Sequence, residues 1–215
     1  MKTKYDLKKE DIVKDARKAF LEFGYKKTTM DDIAGKLRLR KNTLYYYFKS
    51  KEDLFNEVVD NTLLQMIDRI KQAIGKADSA EAKTKICLKI FANEIRNSLT
   101  DTYTTPAILV EFICVMGKKQ SRVIENLPLI LSGILKEGVR NGEFVQHNAD
   151  ELAIILLETT ISYEITHQSK ISHDLIDKDD KNSIYVCNYH YKKGLEYMLN
   201  GIKTKSKQLK NKRTE

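Results

Sequence analysis

The chain has 215 residues, 38 Lys and Arg against 30 Asp and Glu, only 9 Gly and 2 Pro, and 3 Cys. That length allows one sizeable domain or two small ones, and so few chain-breaking residues favour long helices over a many-turned sheet. Three cysteines spread over Cys87, Cys114 and Cys187, in no CxxC or Cys/His ligand spacing, exclude a disulfide scaffold and suit a reducing cytoplasm. With no run of 18 apolar residues and no signal-peptide-like start, no membrane association is expected.

The charge is unevenly placed. Residues 1–52 hold 15 Lys and Arg against 8 Asp and Glu, and residues 201–215 hold 6 against 1, whereas residues 53–200 hold 17 against 21. A basic head on a slightly acidic body points to a polyanion as the partner of the head.

Taken in order, Met1 to Lys9 is polar and basic. It reads as a frayed terminus or as an arm of the kind that enters a DNA minor groove. Glu10 to Phe23 is the first predicted helix, with Ile12, Val13, Ala16, Ala19, Phe20 and Phe23 at three- and four-residue steps and Gly24 at its end. Thr29 with Asp32 three residues on forms a capping-box signature, followed by Ile33, Ala34 and Leu37 as the face of a short helix. The pattern breaks at Arg38-Leu39 and restarts with Leu44 and Phe48. Ser50, with Asp53 three residues on, starts the next helix. Two short helices joined by a tight turn are the arrangement that sets a second helix into a DNA major groove. Outside its Leu44/Phe48 face, that second helix carries Arg40, Lys41, Asn42, Tyr45, Tyr46 and Tyr47, a run of donors and phenols without acids.

The stretch resembles the DNA-binding head of the TetR/AcrR family of bacterial regulators. The matching residues are Thr29, Ile33-Ala34, Leu39, Thr43-Leu44-Tyr45-Tyr46, Phe48, Lys51, Asp53 and Leu54, with Ala16, Ala19, Phe20, Gly24 and Tyr25 fitting the family's first helix. The strong likeness covers residues 10 to 60. It implies that Lys41, Asn42 and Tyr45 meet base edges or sugars, that Arg40 does either job, and that Thr29, Tyr46, Tyr47 and Lys51 hold phosphates. Two positions depart from the family pattern. Arg38 stands where Gly is common, so it must accept an awkward backbone or a different turn. Arg40 stands where a Ser or Thr cap is common, so either Asn42 caps a later start or the helix forms fully only against DNA.

Lys51 to Lys76 reads as one long helix, with a stripe of Leu54, Val58, Leu63, Leu64, Ile67, Ile70 and Ile74. The next runs from Ser79 or Glu81 to Thr100, with Ile86, Ile90, Phe91, Ile95 and Leu99 as its face. Ala107 to Met116 is apolar all round and therefore expected to be buried. Arg122 to Asn141 contains Pro128, which kinks or divides it. Asp150 to Gln168 has apolar residues on more than one face, residues 169–182 are a polar linker, and Ser183 to Ile202 is the last helix.

The expected architecture is all-α: an N-terminal three-helix helix-turn-helix head over residues 1–52, an effector-binding and dimerisation body over 53–202, and a basic, disordered tail over 203–215. The resemblance implies a homodimer on a palindromic double-stranded operator and a largely apolar small-molecule effector. Its cavity would be lined by Met66, Ile70, Phe91, Ile95, Tyr103, Phe112, Met116 and Tyr163, residues that also read simply as core. Glu111 and Glu164 on apolar helices call for partners, either a cationic ligand or a Lys or Arg of the body. No phosphate-cradling Gly loop, HExxH or nucleophile elbow is present, and His147, His167, His173 and His190 form no ligand pattern, so no catalysis, metal or cofactor is expected. The rival to a ligand-released repressor is a DNA-bound interaction protein with the same head and no ligand cavity.

Overall fold

The computed structural model describes residues 3–100, 105–117, 122–172, 193–194, 196 and 198–203. Tyr103, residues 173–182 of the expected linker, most of the expected last helix and the tail beyond Lys203 lie outside them. The described residues are all-α: α1 (Lys4–Phe23), α2 (Met30–Lys36), α3 (Lys41–Tyr47), α4 (Lys51–Ile74), α5 (Ala80–Thr100), α6 (Pro106–Gly117), α7 (Arg122–Arg140) and α8 (Ala149–Ser172). They divide into two compact units, Met1–Met66 with Asn97–Ile124, and Ile67–Arg96 with Glu125–Glu215.

In the first unit, α1 begins at Lys4, six residues before the expected start, so residues 4–9 are helix and not an arm. The reason is local: Thr3 caps the helix in a reciprocal box with Asp6, the same device as Thr29 with Asp32. Ile12, Val13, Ala16, Ala19, Phe20 and Leu21 of α1 are buried, and α1 packs on both α2 and α6. Leu54, Phe55, Val58 and Val59 of α4 add to this core, as do Leu109 and Phe112 of α6. The aromatic rings interlock, with Phe55 set against Phe20 at 5.2 Å, Tyr25 at 4.6 Å and Phe112 at 5.0 Å between centroids. The expectation that α6 is buried all round does not hold, since Val110 and Cys114 are exposed. A helix of 12 residues packed on one side leaves its other face open.

In the second unit, α7 runs undivided through Pro128. It ends at a turn where Gly142 takes φ +67° and Glu143 N–H donates to the Gly138 carbonyl at 2.8 Å. The inward face of α5 is made by Thr84, Cys87, Leu88, Ala92 and Ile95, while Ile86, Ile90 and Phe91 are only half-buried. Ile95 and Leu99 of the expected face are buried as well. Asn148 opens α8 by accepting the Glu151 N–H at 3.2 Å. Ala153, Leu156, Leu157, Thr160 and Glu164 of α8 are buried, whereas Ile154 and Ile155 are exposed. Residues 198–202 are helical. Lys203, the first residue of the stretch read as tail, is buried: it bridges to Phe144 through the backbone and reaches Glu81 with its ammonium at 2.7 Å. Among the described residues no helix is long and apolar enough to cross a membrane.

Candidate nucleic-acid interface

The site is built by α2, the turn after it, and α3, all within the first unit. Thr29 fixes the start of α2. Its hydroxyl accepts the Asp32 N–H at 3.2 Å, while the Asp32 carboxylate accepts the Thr29 N–H at 2.9 Å. These bonds hold the Asp32 carboxyl below its ordinary value. Leu37 ends the helix. Arg38 N–H then donates to Gly35 O at 3.1 Å and Leu39 N–H to Ala34 O at 2.9 Å, which together form the paired closure that usually employs glycine. Arg38 itself sits at φ +52°, the only non-glycine residue with positive φ among those described. Of the two outcomes open to it, Arg38 therefore takes the awkward backbone and not a different turn. In the left-handed region its Cβ crowds the following carbonyl, at a cost of about 1–2 kcal/mol.

The turn delivers the chain into α3. Arg40 occupies the cap position with extended backbone, φ −69° and ψ 142°, and makes no side-chain cap hydrogen bond. Asn42 lies inside the helix, so a later start capped by Asn42 does not occur. Leu44 is buried completely and Phe48 closes the helix from below. The remaining residues turn outward: Arg40, Lys41, Asn42, Tyr45 and Tyr46 are exposed, Tyr46 by 71%.

Four of the expected site residues meet around one recess of about 270 Å³, lined by Thr28, Thr29, Met30, Asp31, Lys41, Tyr45 and Lys51. An acid sits among these cations. Lys41 Nζ pairs with the Asp31 carboxylate at 2.8 Å, and that hydrogen bond raises the ammonium's pKa above its ordinary value. Lys51 is held in place by donating to the Tyr25 carbonyl at 2.9 Å and standing 4.5 Å over the Tyr25 ring. Ser50 starts α4 beside it by accepting the Asp53 N–H at 3.0 Å.

Tyr46 and Tyr47 form a second group with a residue that sequence reading missed. The Tyr5 ring stacks on Tyr47 at 4.8 Å and 26° and meets Tyr46 edge-on at 5.8 Å. These rings line a recess with Lys4, Leu7, Lys8 and Asp11, so the first turn of α1 stands against the end of α3. The signal was present in Thr3-x-x-Asp6, which places Tyr5 on a helix.

The ligand candidates fall in both units. Met66 and Phe112 are core residues of the first; Ile70 and Ile95 are buried in the second, where Phe91 and Tyr163 are half-buried. Tyr103 and the side chain of Met116 lie outside the described residues. The two odd carboxylates have ordinary partners. Glu164, fully buried, receives two hydrogen bonds from Arg96, at 2.6 and 3.2 Å. Glu111 accepts the backbone N–H of Lys26 at 2.8 Å.

An all-helical chain whose first unit carries a capped two-helix motif with a cationic, phenolic outer helix defines a class of helix-turn-helix proteins. Residues 12–58 match the family described as "Bacterial regulatory proteins, tetR family". Over that stretch, which includes α2 and α3, the chain carries the pattern of the tetR family of bacterial regulatory proteins. It is 40% identical over 67 residues to the uncharacterised HTH-type transcriptional regulator YhgD of Bacillus subtilis (strain 168), covering 31% of this chain and 35% of that protein. This match therefore spans about a third of the relative's own length. The "Fatty acid metabolism regulator protein" of the same organism is 24% identical over 155 residues, 72% of this chain and 80% of that one. Among solved structures, Bacillus subtilis FadR in complex with stearoyl-CoA superposes with a TM-score of 0.62 at 18% identity, over 85% of this chain and 95% of that one. That likeness is one of fold.

Proposed function

We propose that the chain is a sequence-specific DNA-binding transcriptional repressor, a cytoplasmic homodimer released from a palindromic operator by a small molecule. The head over residues 1–52 binds DNA; the body over 53–202 binds the effector and the second subunit. The observation that carries the reading is the outer face of α3, where Arg40, Lys41, Asn42, Tyr45 and Tyr46 are all exposed on a helix anchored by buried Leu44. An exposed set of cations, an amide and phenols on the second helix of such a motif is what a major groove would meet.

Lys41 and Asn42 read base edges, since Lys matches the guanine acceptors and Asn the donor–acceptor pair of adenine. Arg40 and Tyr45 flank them. Tyr46 and Tyr47 hold phosphates. Thr29, whose hydroxyl is committed to the cap, and Lys51, committed to the turn, meet phosphate at the edge of the same recess. The Lys51 ammonium has three donors, and its bonds to the Tyr25 carbonyl at 2.9 Å and the Lys26 carbonyl at 3.5 Å use two of them. A twofold dimer demands a twofold site, so the operator is near-palindromic. The effector is largely apolar, given Met66, Ile70, Phe91, Ile95 and Phe112 among the candidate lining; FadR of the same fold holds stearoyl-CoA.

The test is fluorescence anisotropy of the purified chain against the DNA upstream of its own gene and a scrambled duplex, at several salt concentrations. Tighter binding to the upstream duplex that survives physiological salt is expected. Equal and steeply salt-dependent binding to both duplexes would reduce the head to a phosphate grip.

A further inference from the structure

The turn between α1 and α2 decides how α3 is aimed, because α2 starts at Thr29 and packs directly on α3. This turn is gripped from three sides, all within the first unit. From α6, the Glu111 carboxylate accepts the Lys26 N–H at 2.8 Å. The same carboxylate lies against Gly24, whose φ is +83° and where an added Cβ would stand 3.4 Å from Glu111 Oε2. From α4, Lys51 donates to the Tyr25 carbonyl. From the turn itself, the buried Thr28 hydroxyl donates to the Gly24 carbonyl at 2.6 Å. Phe112, next to Glu111, packs on Phe55, which packs on Tyr25 of the turn.

We propose that Glu111 is a positioning residue for DNA binding, through which α6 sets the aim of α2 and α3. The proposal rests on the DNA reading above. An amide on an exposed turn can be satisfied by water, so satisfying the Lys26 N–H does not by itself require a carboxylate from 85 residues away. What the carboxylate adds is a charge-assisted bond, shorter and stronger than a neutral one. Such a bond is also steeply geometric: sliding α6 by about 1 Å takes it past hydrogen-bond range. Gly24 supplies the φ of +83° that the turn needs, and the carboxylate rests against it at ordinary contact distance. α6 thus grips, alongside Lys51 and Thr28, the segment whose conformation passes straight into the cap of α2.

The experiment uses the full chain as wild type, Glu111→Ala and Glu111→Gln. Hydrogen exchange is followed at Lys26, through residues 30–36 of α2, and at Val58 and Val59 in α4. Binding to the preferred and scrambled duplexes is measured alongside. Glu111→Ala is expected to speed exchange at Lys26 and in α2 by about tenfold while leaving Val58 and Val59 unchanged, a local and not a global opening. It should lower the ratio of specific to scrambled affinity several-fold with the salt slope intact, because no phosphate contact is lost. Glu111→Gln, which keeps an acceptor oxygen but not the charge, should fall between wild type and Glu111→Ala in both measurements. Unchanged exchange in α2, or faster exchange in α2 and α4 alike, would overturn the proposal. If the wild type discriminates between duplexes and Glu111→Ala discriminates equally, the role of Glu111 alone falls. If the wild type binds neither duplex, the DNA reading falls and takes this role with it.

Discussion

Lys41 on α3 and Asp31 on α2 form an ion pair at 2.8 Å, both well exposed, in the recess that they share with Thr29, Tyr45 and Lys51. The pair joins the two helices of the motif, yet it places a carboxylate where phosphates would come. To reach a base edge Lys41 must leave Asp31, and Asp31 must tolerate the approaching backbone. Asp31→Asn removes both obstacles. An exposed pair contributes little to stability, so folding should be nearly unchanged. Affinity for every duplex should rise a few-fold at low salt, the gain shrinking as salt screens it. Anisotropy titrations of the variant that show equal or weaker binding would remove Asp31 from the interface.

Lys41→Ala and Asn42→Ala act differently. Base contacts specify sequence, whereas phosphate contacts position. Either change should reduce preference for the operator on the order of tenfold at the position read, leaving scrambled-duplex binding nearly as it was. Lys51→Ala should weaken binding to all sequences and flatten the salt slope by about one. Unchanged ranking of operator variants for Lys41→Ala would end its base-reading role.

Much of this head was legible because its devices are local. Thr29 with Asp32 and Ser50 with Asp53 are read three residues apart, and the structure forms both hydrogen bonds. The missed start of α1 was equally local: Thr3 and Asp6 carry the signature, but the density of lysines around them reads as a frayed end. Arg38 marks a different limit. The sequence shows a side chain where glycine is favoured, but whether the backbone bends to the residue or the residue bears the strain is decided by the two hydrogen bonds that close the turn. Thr3 and Asp6 could have placed Tyr5 on a helix, but its stacking on Tyr47, like Glu111 on Lys26, was beyond reach, since each pairs segments far apart in the chain. On α5, a count of large apolar residues chose Ile86, Ile90, Phe91, Ile95 and Leu99, whereas packing buries Ile95 and Leu99 together with Leu88 and the small Cys87 and Ala92.

Arg40 should show stability and function pulling in opposite directions. It fills a cap position without capping, so Arg40→Ser should stabilise the head by about 1 kcal/mol. Arg38→Gly should also stabilise, by up to about 1 kcal/mol, because relief of the left-handed strain exceeds the entropy that glycine loses on folding. Urea unfolding should report both gains. Arg40→Ser should nonetheless bind the operator more weakly, whereas Arg38→Gly should not. A cap variant that gains stability and keeps full affinity would show that Arg40 makes no DNA contact.

Arg96 and Glu164 give an asymmetric pair. The carboxylate is fully buried and the guanidinium is 36% exposed. Removing Arg96 strands a charge away from water; removing Glu164 leaves a guanidinium that still reaches solvent. Arg96→Ala should therefore cost more than Glu164→Ala, toward about 3–5 kcal/mol for the former. Equal losses in urea unfolding would mean that the two ends are solvated alike.

Glu81 supplies the pH dependence of the second unit. Burial opposes its ionisation, but hydrogen bonds from Lys203 and Lys85 outweigh that and hold the carboxyl below its ordinary value of 4.5. A carboxyl whose pKa is depressed by folding binds fewer protons in the native chain than in the unfolded one. Its contribution is therefore complete above the ordinary value and is lost as pH falls through the lower, folded value. Glu81→Gln removes the charge at every pH. Wild type should be the more stable at pH 7, and the difference should shrink below about pH 4.5 as Glu81 takes up its proton. Because Lys203 Nζ is buried against this carboxylate, the variant should also loosen the backbone bridge between Phe144 and Lys203, seen as faster exchange of the Val145 amide that donates to Ile202. A stability difference between the two proteins that stays constant from pH 7 to pH 3 would show that Lys203 is held there by packing and not by charge.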